Sequence, residues 1–163
     1  NTMKIVEYEE KYLDDVKDLL VELEEDIVSI DKDSLDQLHP EYKEKMALLD
    51  LKEVNDNKGK CYLAVENDKA VGLIMGCIRP YDEYDYLDYK CPKTGEITEL
   101  IVTNKIRNKG VGQLLINKME EYFKSLDCEY INIDVFAYNE NAIKFYNKNG
   151  YHHRMYIDIK RIK

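Results

Sequence analysis

Hydrophobic and polar positions in the first half of the chain predict a strand, two helices and a β-hairpin. Residues 3–8 alternate as in a short strand, whereas apolar residues recur every three or four positions from Lys11 to Ile30, as on the buried face of a helix. Glu41 to Val54 is a second helical stretch. Two apolar runs, Lys60–Val65 and Ala70–Ile78, flank a polar tetrapeptide and therefore predict a hairpin.

A polar, tyrosine-rich connection over Pro80–Lys93 leads into a second half in which strands alternate with helices. The predicted elements there are a strand over Glu96–Thr103, a helix over Gly110–Leu126, a strand over Tyr130–Phe136, a helix over Asn139–Asn147 and a strand over Tyr151–Ile159. Asn149-Gly150 is a typical C-terminal signal for the last of these helices.

The complete order, β-α-α-β-β-β-α-β-α-β, predicts an α/β fold with a mixed central β-sheet flanked by helices. The β-α-β crossover at 96–136 should be right-handed. No internal repeat, low-complexity tract or linker divides the chain. We therefore expect one domain over residues 3–163, and we interpret Asn1-Thr2, ahead of Met3, as a tag remnant.

Composition narrows the class of protein further. Apolar residues make up 44% and charged residues 35% of the 163 positions, which is typical of a soluble globular domain. The longest apolar run, Ala70–Ile78, is too short to span a bilayer, and no signal-peptide segment follows Met3. We therefore expect a cytoplasmic protein without membrane association. The four cysteines, Cys61, Cys77, Cys91 and Cys128, lack the spacing of metal ligands. We therefore expect free thiols and no metal site.

The net charge of −9 is unevenly distributed. Residues 1–93 contain 24 acidic and 13 basic side chains, whereas residues 94–163 contain 9 and 11. An acidic protein repels phosphates, which disfavours nucleic acid as a partner. The asymmetry favours an anion bound by the second half and a cation bound by the first, but an acidic surface that only maintains solubility would give the same counts.

A glycine-containing loop, Arg107-Asn108-Lys109-Gly110-Val111-Gly112, lies directly between a predicted strand and a predicted helix. Unpaired amides and the positive end of the helix dipole make such a loop a site for a phosphate or pyrophosphate. The residues around the glycines match neither a P-loop nor the dinucleotide fingerprint G-x-G-x-x-G. A tight β-α connection without a ligand is the alternative.

Two motifs in the second half resemble the GNAT superfamily of N-acetyltransferases. One is R-x-x-G-x-G, after a strand that ends at Ile101-Val102. The other runs from Asn139 to Tyr151 and is similar to the superfamily's N-x-x-A-[IV]-x-[FL]-Y-x-[KR]-x-G-[FY] ending. The resemblance covers about the last 70 residues and implies acetyl-CoA as the co-substrate. It assigns cofactor contacts to Leu100, Ile101, Val102, Arg107, Asn108, Lys109, Gly110, Val111, Gly112, Gln113 and Asn139.

The implied reaction is direct attack of an amine on the thioester. The amine must lose a proton and the departing thiolate must gain one. The resemblance implies Tyr146 as the general acid and either Glu96 or Glu99 as the general base, although some members of the superfamily use a water chain. It also implies that a backbone N–H near Ile101 or Val102 stabilises the oxyanion.

The acceptor is expected to be a small cationic amine. Residues 81–90 combine four acids with four tyrosines, and both kinds of side chain attract cations. Glu22, Glu24, Glu25 and Asp26 would add to that field. A protein N-terminal or lysine acetyltransferase and a CoA-binding regulatory module are the alternatives. The resemblance leaves homodimer formation open.

Overall fold

Five strands form one mixed sheet with helices on both faces, in a computed structural model that describes residues 3–106 and 109–163. The strands are β1 (Lys4–Glu7), β2 (Lys60–Glu66), β3 (Lys69–Ile78), β4 (Thr94–Val102) and β5 (Tyr130–Ile133). The helices are α1 (Leu13–Ile30), α2 (Tyr42–Asp56), α3 (Asp85–Asp88), α4 (Val111–Ser125) and α5 (Glu140–Lys148), with a 3-10 turn at Glu10–Tyr12. Neighbours in the order β1-β2-β3-β4 are antiparallel, and β5 is parallel to β4. The α/β class and the mixed sheet are therefore confirmed.

Each face of the sheet has its own hydrophobic core. Helices α1 and α2 cover one face, where Val16, Leu63 and Leu73 are fully buried. Helix α4 covers the other face through Met119 and Phe123, on the apolar stripe that its sequence pattern predicts. Strands β3 and β4 therefore lie between two apolar layers.

A β-bulge in β4 changes which side chains share a face. Met75 and Cys77 of β3 are two residues apart, but their partners on β4, Glu99 and Glu96, are three apart. Because residues two apart on a strand share a face, the extra residue on β4 brings both glutamates to one face of the sheet. In a regular strand, a spacing of three would put them on opposite faces.

The two parallel strands pair over only part of their length. The β4–β5 ladder begins at Thr94 and ends where Ile97 faces Ile133, while β4 itself continues to Val102. The second half of β4 therefore extends past the end of β5. This leaves a wedge-shaped opening between β4 and the chain that follows β5.

One element of the predicted order differs in the structure. The predicted strand over Tyr151–Ile159 has no regular secondary structure, and β5 ends at Ile133 instead of Phe136. A strand is stabilised by a neighbour to which it hydrogen-bonds, and residues 151–159 form no such ladder with any strand of the described chain. The connection over 80–93 additionally contains the short helix α3.

Candidate functional site

A cavity of about 520 Å³ opens at the wedge between β4 and β5. Its walls come from α1, α2, β4, α5 and the segment after β5. The structure brings together there the three predicted catalytic residues and two of the predicted cofactor contacts: Glu96, Glu99, Tyr146, Leu100 and Asn139. These residues are up to 50 positions apart in the chain, so the shared cavity is a product of the fold.

Tyr146 reaches this cavity from α5. Asn139 caps that helix, because its side chain accepts a hydrogen bond from the Ala142 N–H at 3.1 Å. The Tyr146 ring packs edge-on against Phe145 and Tyr151, with centroids 5.6 and 5.9 Å away. Burial raises the pKa of Tyr146 to about 12, so the phenol keeps its proton at neutral pH.

The N-terminus of α4 lies beside the far end of β4. Gly110 precedes the helix with φ of 77°, a left-handed conformation that favours glycine. A Cβ placed on Gly112 would lie 3.7 Å from the Phe145 ring and 3.9 Å from Val102, so this first turn adjoins both α5 and β4. The turn carries no acidic side chain, which leaves its amides and dipole available to an anion. Arg107 and Asn108 lie outside the described residues.

Two side chains near this loop have structural contacts that the sequence did not reveal. The Gln113 side-chain amide donates to the Asn117 and Asn149 side chains, at 2.8 and 2.6 Å, and so ties α4 to the end of α5. The Glu22 carboxylate accepts a hydrogen bond from the Asn104 N–H at 3.0 Å. The loop is therefore anchored to α1 where it leaves β4.

The cavity is strongly acidic. Its described lining contains no lysine, arginine or histidine. Seven carboxyl side chains line it: Glu24, Asp36, Asp50, Glu53, Glu96, Glu99 and Asp134. A concave surface lined by charges of one sign concentrates ions of the opposite charge, which suits a cationic ligand. Asp50 was missed by sequence reasoning. The available signal was its position between the buried Ala47 and Val54 on α2, where helical spacing calls for an apolar residue.

Burial and mutual repulsion shift the titration of these carboxyls. Burial, followed by the Asp50 and Glu24 carboxylates, raises the pKa of Glu99 to about 8. Burial and then Glu53 raise the pKa of Asp50 to about 6. One oxygen of Asp50, Oδ2, is buried without a hydrogen-bond partner in the described structure. Burial also raises the pKa of Glu96, but the nearby Arg79 opposes that shift.

Replacing Asp50 with Asn should stabilise the fold at pH 8 and not at pH 4. The pKa of Asp50 is higher in the folded state than in the unfolded state, so its ionisation destabilises the fold progressively as pH rises through about 6. Removing that charge should raise the free energy of unfolding by ~2 kcal/mol at pH 8, which corresponds to a rise in melting temperature of about 4–8 °C. Differential scanning fluorimetry at the two pH values measures the effect.

The matched control is Asp56→Asn on the same helix, where the exposed carboxylate pairs with Lys52 at 2.5 Å. This variant should gain nothing at either pH, because exposed ion pairs contribute little. An equal gain from Asp50→Asn at both pH values would attribute the effect to packing and refute the charge explanation.

The acidic, tyrosine-rich residues 81–90 line a different part of the molecule. The Arg79 guanidinium lies against the rings of both Tyr81 and Tyr89, 5.0 and 5.6 Å from their centroids. The Tyr81 hydroxyl donates to the Pro92 carbonyl at 2.7 Å. Residues of this segment border a second groove, beside β5, and none of them lines the cavity that holds Tyr146. Of the four acids singled out on α1, only Glu24 lines that cavity.

Comparison with known proteins identifies the arrangement. Residues 21–151 match the model of the acetyltransferase (GNAT) family, a span that contains the wedge, the glycine loop and α5. The chain belongs to the GNAT family. The GNAT fold is also found in a putative acetyl transferase from Pyrococcus furiosus, which has a TM-score of 0.75 and 25% identity. That alignment covers 99% of this chain and 100% of the other.

Other relatives of this GNAT chain are more distant or match over a shorter span. The uncharacterized protein YdhI of Bacillus subtilis is 40% identical over 80 residues, which cover 49% of this chain and 44% of YdhI. The uncharacterized N-acetyltransferase MJ1530 of Methanocaldococcus jannaschii is 30% identical over 96 residues, 58% of this chain and 54% of that protein. The chain thus spans about half the length of the curated relatives it matches. A structure of AAC(6')-Iy with a bisubstrate analog shares the fold, with a TM-score of 0.70 at 16% identity over 100% of this chain and 99% of the other.

Two further features of the GNAT chain concern membranes and metal ions. Across residues 3–106 and 109–163, no helix is long and apolar enough to cross a membrane. Over the same ranges, no group of three or more histidine, cysteine, aspartate or glutamate side chains has a geometry suited to a metal ion.

Proposed function

We propose that this chain is an N-acetyltransferase that transfers the acetyl group of acetyl-CoA to a small cationic amine. The observation that carries the proposal is the convergence of Tyr146, Glu96 and Glu99 on one acidic cavity at the β4–β5 wedge. Family membership supports acetyl transfer, and the charge of the cavity supports the class of acceptor.

The residues around the wedge are suited to acetyl-CoA. A pyrophosphate would bind at the first turn of α4, where amides are free, the dipole is uncompensated and Gly110 presents no side chain. The pantetheine arm would lie along Leu100, Ile101 and Val102, beyond the point where β5 stops pairing. Asn139 would contact that arm from α5. The bound co-substrate supplies the acetyl thioester, and Arg107, Asn108 and Lys109 would contribute to its phosphate site.

Glu99 is proposed as the group that takes the proton from the acceptor. A primary ammonium has a pKa of about 10.4, roughly 6 units above an ordinary glutamate. With a pKa of about 8, Glu99 narrows that gap to roughly 2 units, which removes ~5 kcal/mol from the cost of the transfer. Glu96 lies on the same face because of the β-bulge and would assist in holding the ammonium.

Tyr146 is proposed as the proton donor to the departing sulfur. A donor must hold its proton until charge develops, and burial ensures this by raising the pKa of the phenol to about 12. The same burial would raise the pKa of a thiol in this cavity, which keeps the proton transfer between the two groups feasible. Tyr146 and Glu99 line the same cavity, so both proton transfers could occur around one bound acceptor.

Thiol release from acetyl-CoA tests the proposal directly. The panel of acceptors would contain spermidine, aminoglycosides, basic peptides and acidic amino acids, with a thiol reagent reporting CoA. We expect turnover with a small cationic amine and none with aspartate or glutamate. Turnover restricted to acidic amines would contradict the proposed acceptor class, and failure to bind CoA by calorimetry would contradict the proposed activity.

The same panel separates the two alternatives. A protein acetyltransferase would prefer the basic peptides over spermidine, whereas the cavity of about 520 Å³ favours a small molecule. A regulatory CoA-binding module would bind CoA without releasing thiol. The buried phenol and glutamate argue against such a module, because cofactor binding alone requires neither group.

A further inference from the structure

The helix that carries Tyr146 ends in a hydrogen-bonded cap built on Asn149. The Asn149 N–H donates to the Tyr146 carbonyl at 3.0 Å, and its side-chain Nδ2 donates to the Phe145 carbonyl at 2.9 Å. The last carbonyls of a helix have no donor within the helix, so a cap that binds them fixes the final turn. Asn149 therefore holds the two residues, Phe145 and Tyr146, whose rings pack edge-on against each other.

A side chain of α4 meets this cap. The Asn149 Oδ1 accepts a hydrogen bond from the Gln113 Nε2 at 2.6 Å. Because the Asn149 Nδ2 is directed at α5, the oxygen is the group that faces α4, and its partner must be a donor. The Gln113 Nε2 also donates to the Asn117 Oδ1, one turn further along α4, at 2.8 Å. The side-chain amides of Gln113 and Asn149 are thus fixed in one orientation.

Gln113 belongs to the turn of α4 that would hold the pyrophosphate. The three amides at the start of this helix, including the Gln113 N–H, precede its first internal hydrogen bond and so have no acceptor within it. The neighbouring Gly112 adjoins α5 directly, since an added Cβ would lie 3.7 Å from the Phe145 ring. One turn of α4 therefore serves the phosphate site with its backbone and the Tyr146 helix with a side chain.

The position of the Tyr146 phenol depends on this support. Among the described residues no hydrogen bond fixes its hydroxyl, and the ring is located by packing against Phe145 and Tyr151, with centroids 5.6 and 5.9 Å away. Proton transfer requires the donor oxygen within hydrogen-bond distance of the acceptor. A displacement of about 1 Å can lower a rate roughly 100-fold. The last turn of α5 therefore decides whether Tyr146 can reach the sulfur.

We propose that Gln113 and Asn149 are positioning residues that align Tyr146 with the departing sulfur of CoA. Their hydrogen bond, which we term the Gln113–Asn149 bridge, sets the distance between the turn that holds the pyrophosphate and the turn that holds the phenol. Neither side chain touches the reacting atoms, because both act through α5. The inference rests on the proposed function, and specifically on Tyr146 as the proton donor.

Replacing Gln113 with Ala removes the bridge and keeps the backbone amides of the phosphate site. We expect kcat for thiol release to fall about tenfold, and the affinity for CoA measured by calorimetry to change less than about twofold. The matched control is Asn117→Ala, which removes the other hydrogen bond of the same amide, one that does not reach α5. Its kcat should stay within about twofold of the wild-type value.

A second background separates positioning from a general loss of structure. Tyr146→Phe has no proton donor to align, so adding Gln113→Ala to it should lower kcat by less than about twofold. The double variant Gln113→Ala/Asn149→Ala should be no slower than the slower of its two single variants, because both substitutions remove one bridge. A merely structural role would lower kcat by the same factor with and without the Tyr146 hydroxyl, and that result would overturn the proposal.

Hydrogen exchange reports on the bridge without any turnover. The Asn149, Gly150 and Tyr151 amides donate to carbonyls of α5. They should exchange at least about threefold faster in Gln113→Ala than in the wild type, and at the wild-type rate in Asn117→Ala. Unchanged exchange in Gln113→Ala would overturn the bridge, and faster exchange with an unchanged kcat would overturn its positioning role. A wild type that binds CoA but acetylates no amine would instead refute the proposed function, and with it any role of the bridge in proton donation, whatever the exchange rates.

Discussion

Replacing Tyr146 with Phe is expected to lower kcat for acetyl transfer about 100-fold or more, because proton donation by a positioned side chain contributes roughly that factor. The substitution removes a single oxygen and keeps the aromatic contacts with Phe145 and Tyr151. The affinity for CoA should therefore change less than about twofold. Steady-state thiol release gives kcat, and titration calorimetry gives the affinity for CoA.

A matched control for Tyr146→Phe is Tyr151→Phe. The Tyr151 hydroxyl donates to Glu120 and lies beside the second groove, so its loss should affect stability more than turnover. If Tyr146→Phe turns over at the wild-type rate, or if Tyr151→Phe shows the larger loss of kcat, Tyr146 is not the proton donor.

Replacing Glu99 with Gln is expected to lower kcat/KM about 100-fold above pH 8 and to change the pH profile. In the wild type, Glu99 accepts a proton only when it is ionised, so kcat/KM should fall tenfold per pH unit below about 8 and level off above. The glutamine cannot ionise. The variant should instead follow the deprotonation of the free amine, with a limb near pH 10. Rates measured from pH 6 to 10.5 resolve the two limbs.

Glu96→Gln is the control for this effect, because it removes a carboxylate from the same strand and the same face. Arg79 counteracts the rise in the pKa of Glu96, which makes this residue a weaker base. Its replacement should lower kcat/KM by no more than a few fold and preserve the limb near pH 8. Loss of that limb in Glu96→Gln, with its retention in Glu99→Gln, would exchange the roles of the two residues.

The sequence was sufficient for most of the framework. Helical spacing located α1 and α4, and two apolar runs on either side of a polar tetrapeptide located β2 and β3 to within a few residues. The two family motifs are short, continuous segments, one at the start of α4 and the other along α5. These signals depend only on neighbouring positions, so no knowledge of the tertiary structure was needed to read them.

The acidic character of the cavity could not be predicted in the same way. The tyrosine-rich residues 81–90 were the conspicuous acidic cluster, yet they surround Arg79 and face the second groove. The carboxyls that line the cavity come from α1, α2, β4 and the segments after α1 and β5. Asp50 comes close to Glu99 because α2 packs on β2 and β3, beside β4, and no local sequence pattern predicts that contact.

The strand predicted for 151–159 shows the limit of a local pattern. Its residues have the spacing and composition of a strand, but hydrogen-bonding partners decide whether a strand forms. In the described structure these residues pair with no other strand, and they adopt no regular secondary structure.

The extra residue in β4 allows the strand to place two glutamates in the cavity without placing a charge in the apolar core. Without it, side chains would point alternately to the two faces of the sheet along the whole of β4. If Glu99 then faced the cavity, residue 96 would point to the opposite face, into the apolar layer beneath Phe123. A single inserted residue reverses the alternation midway. Each half of the strand then places one glutamate in the cavity and one isoleucine in an apolar core: Glu96 and Ile97 before the inserted residue, and Glu99 and Ile101 after it.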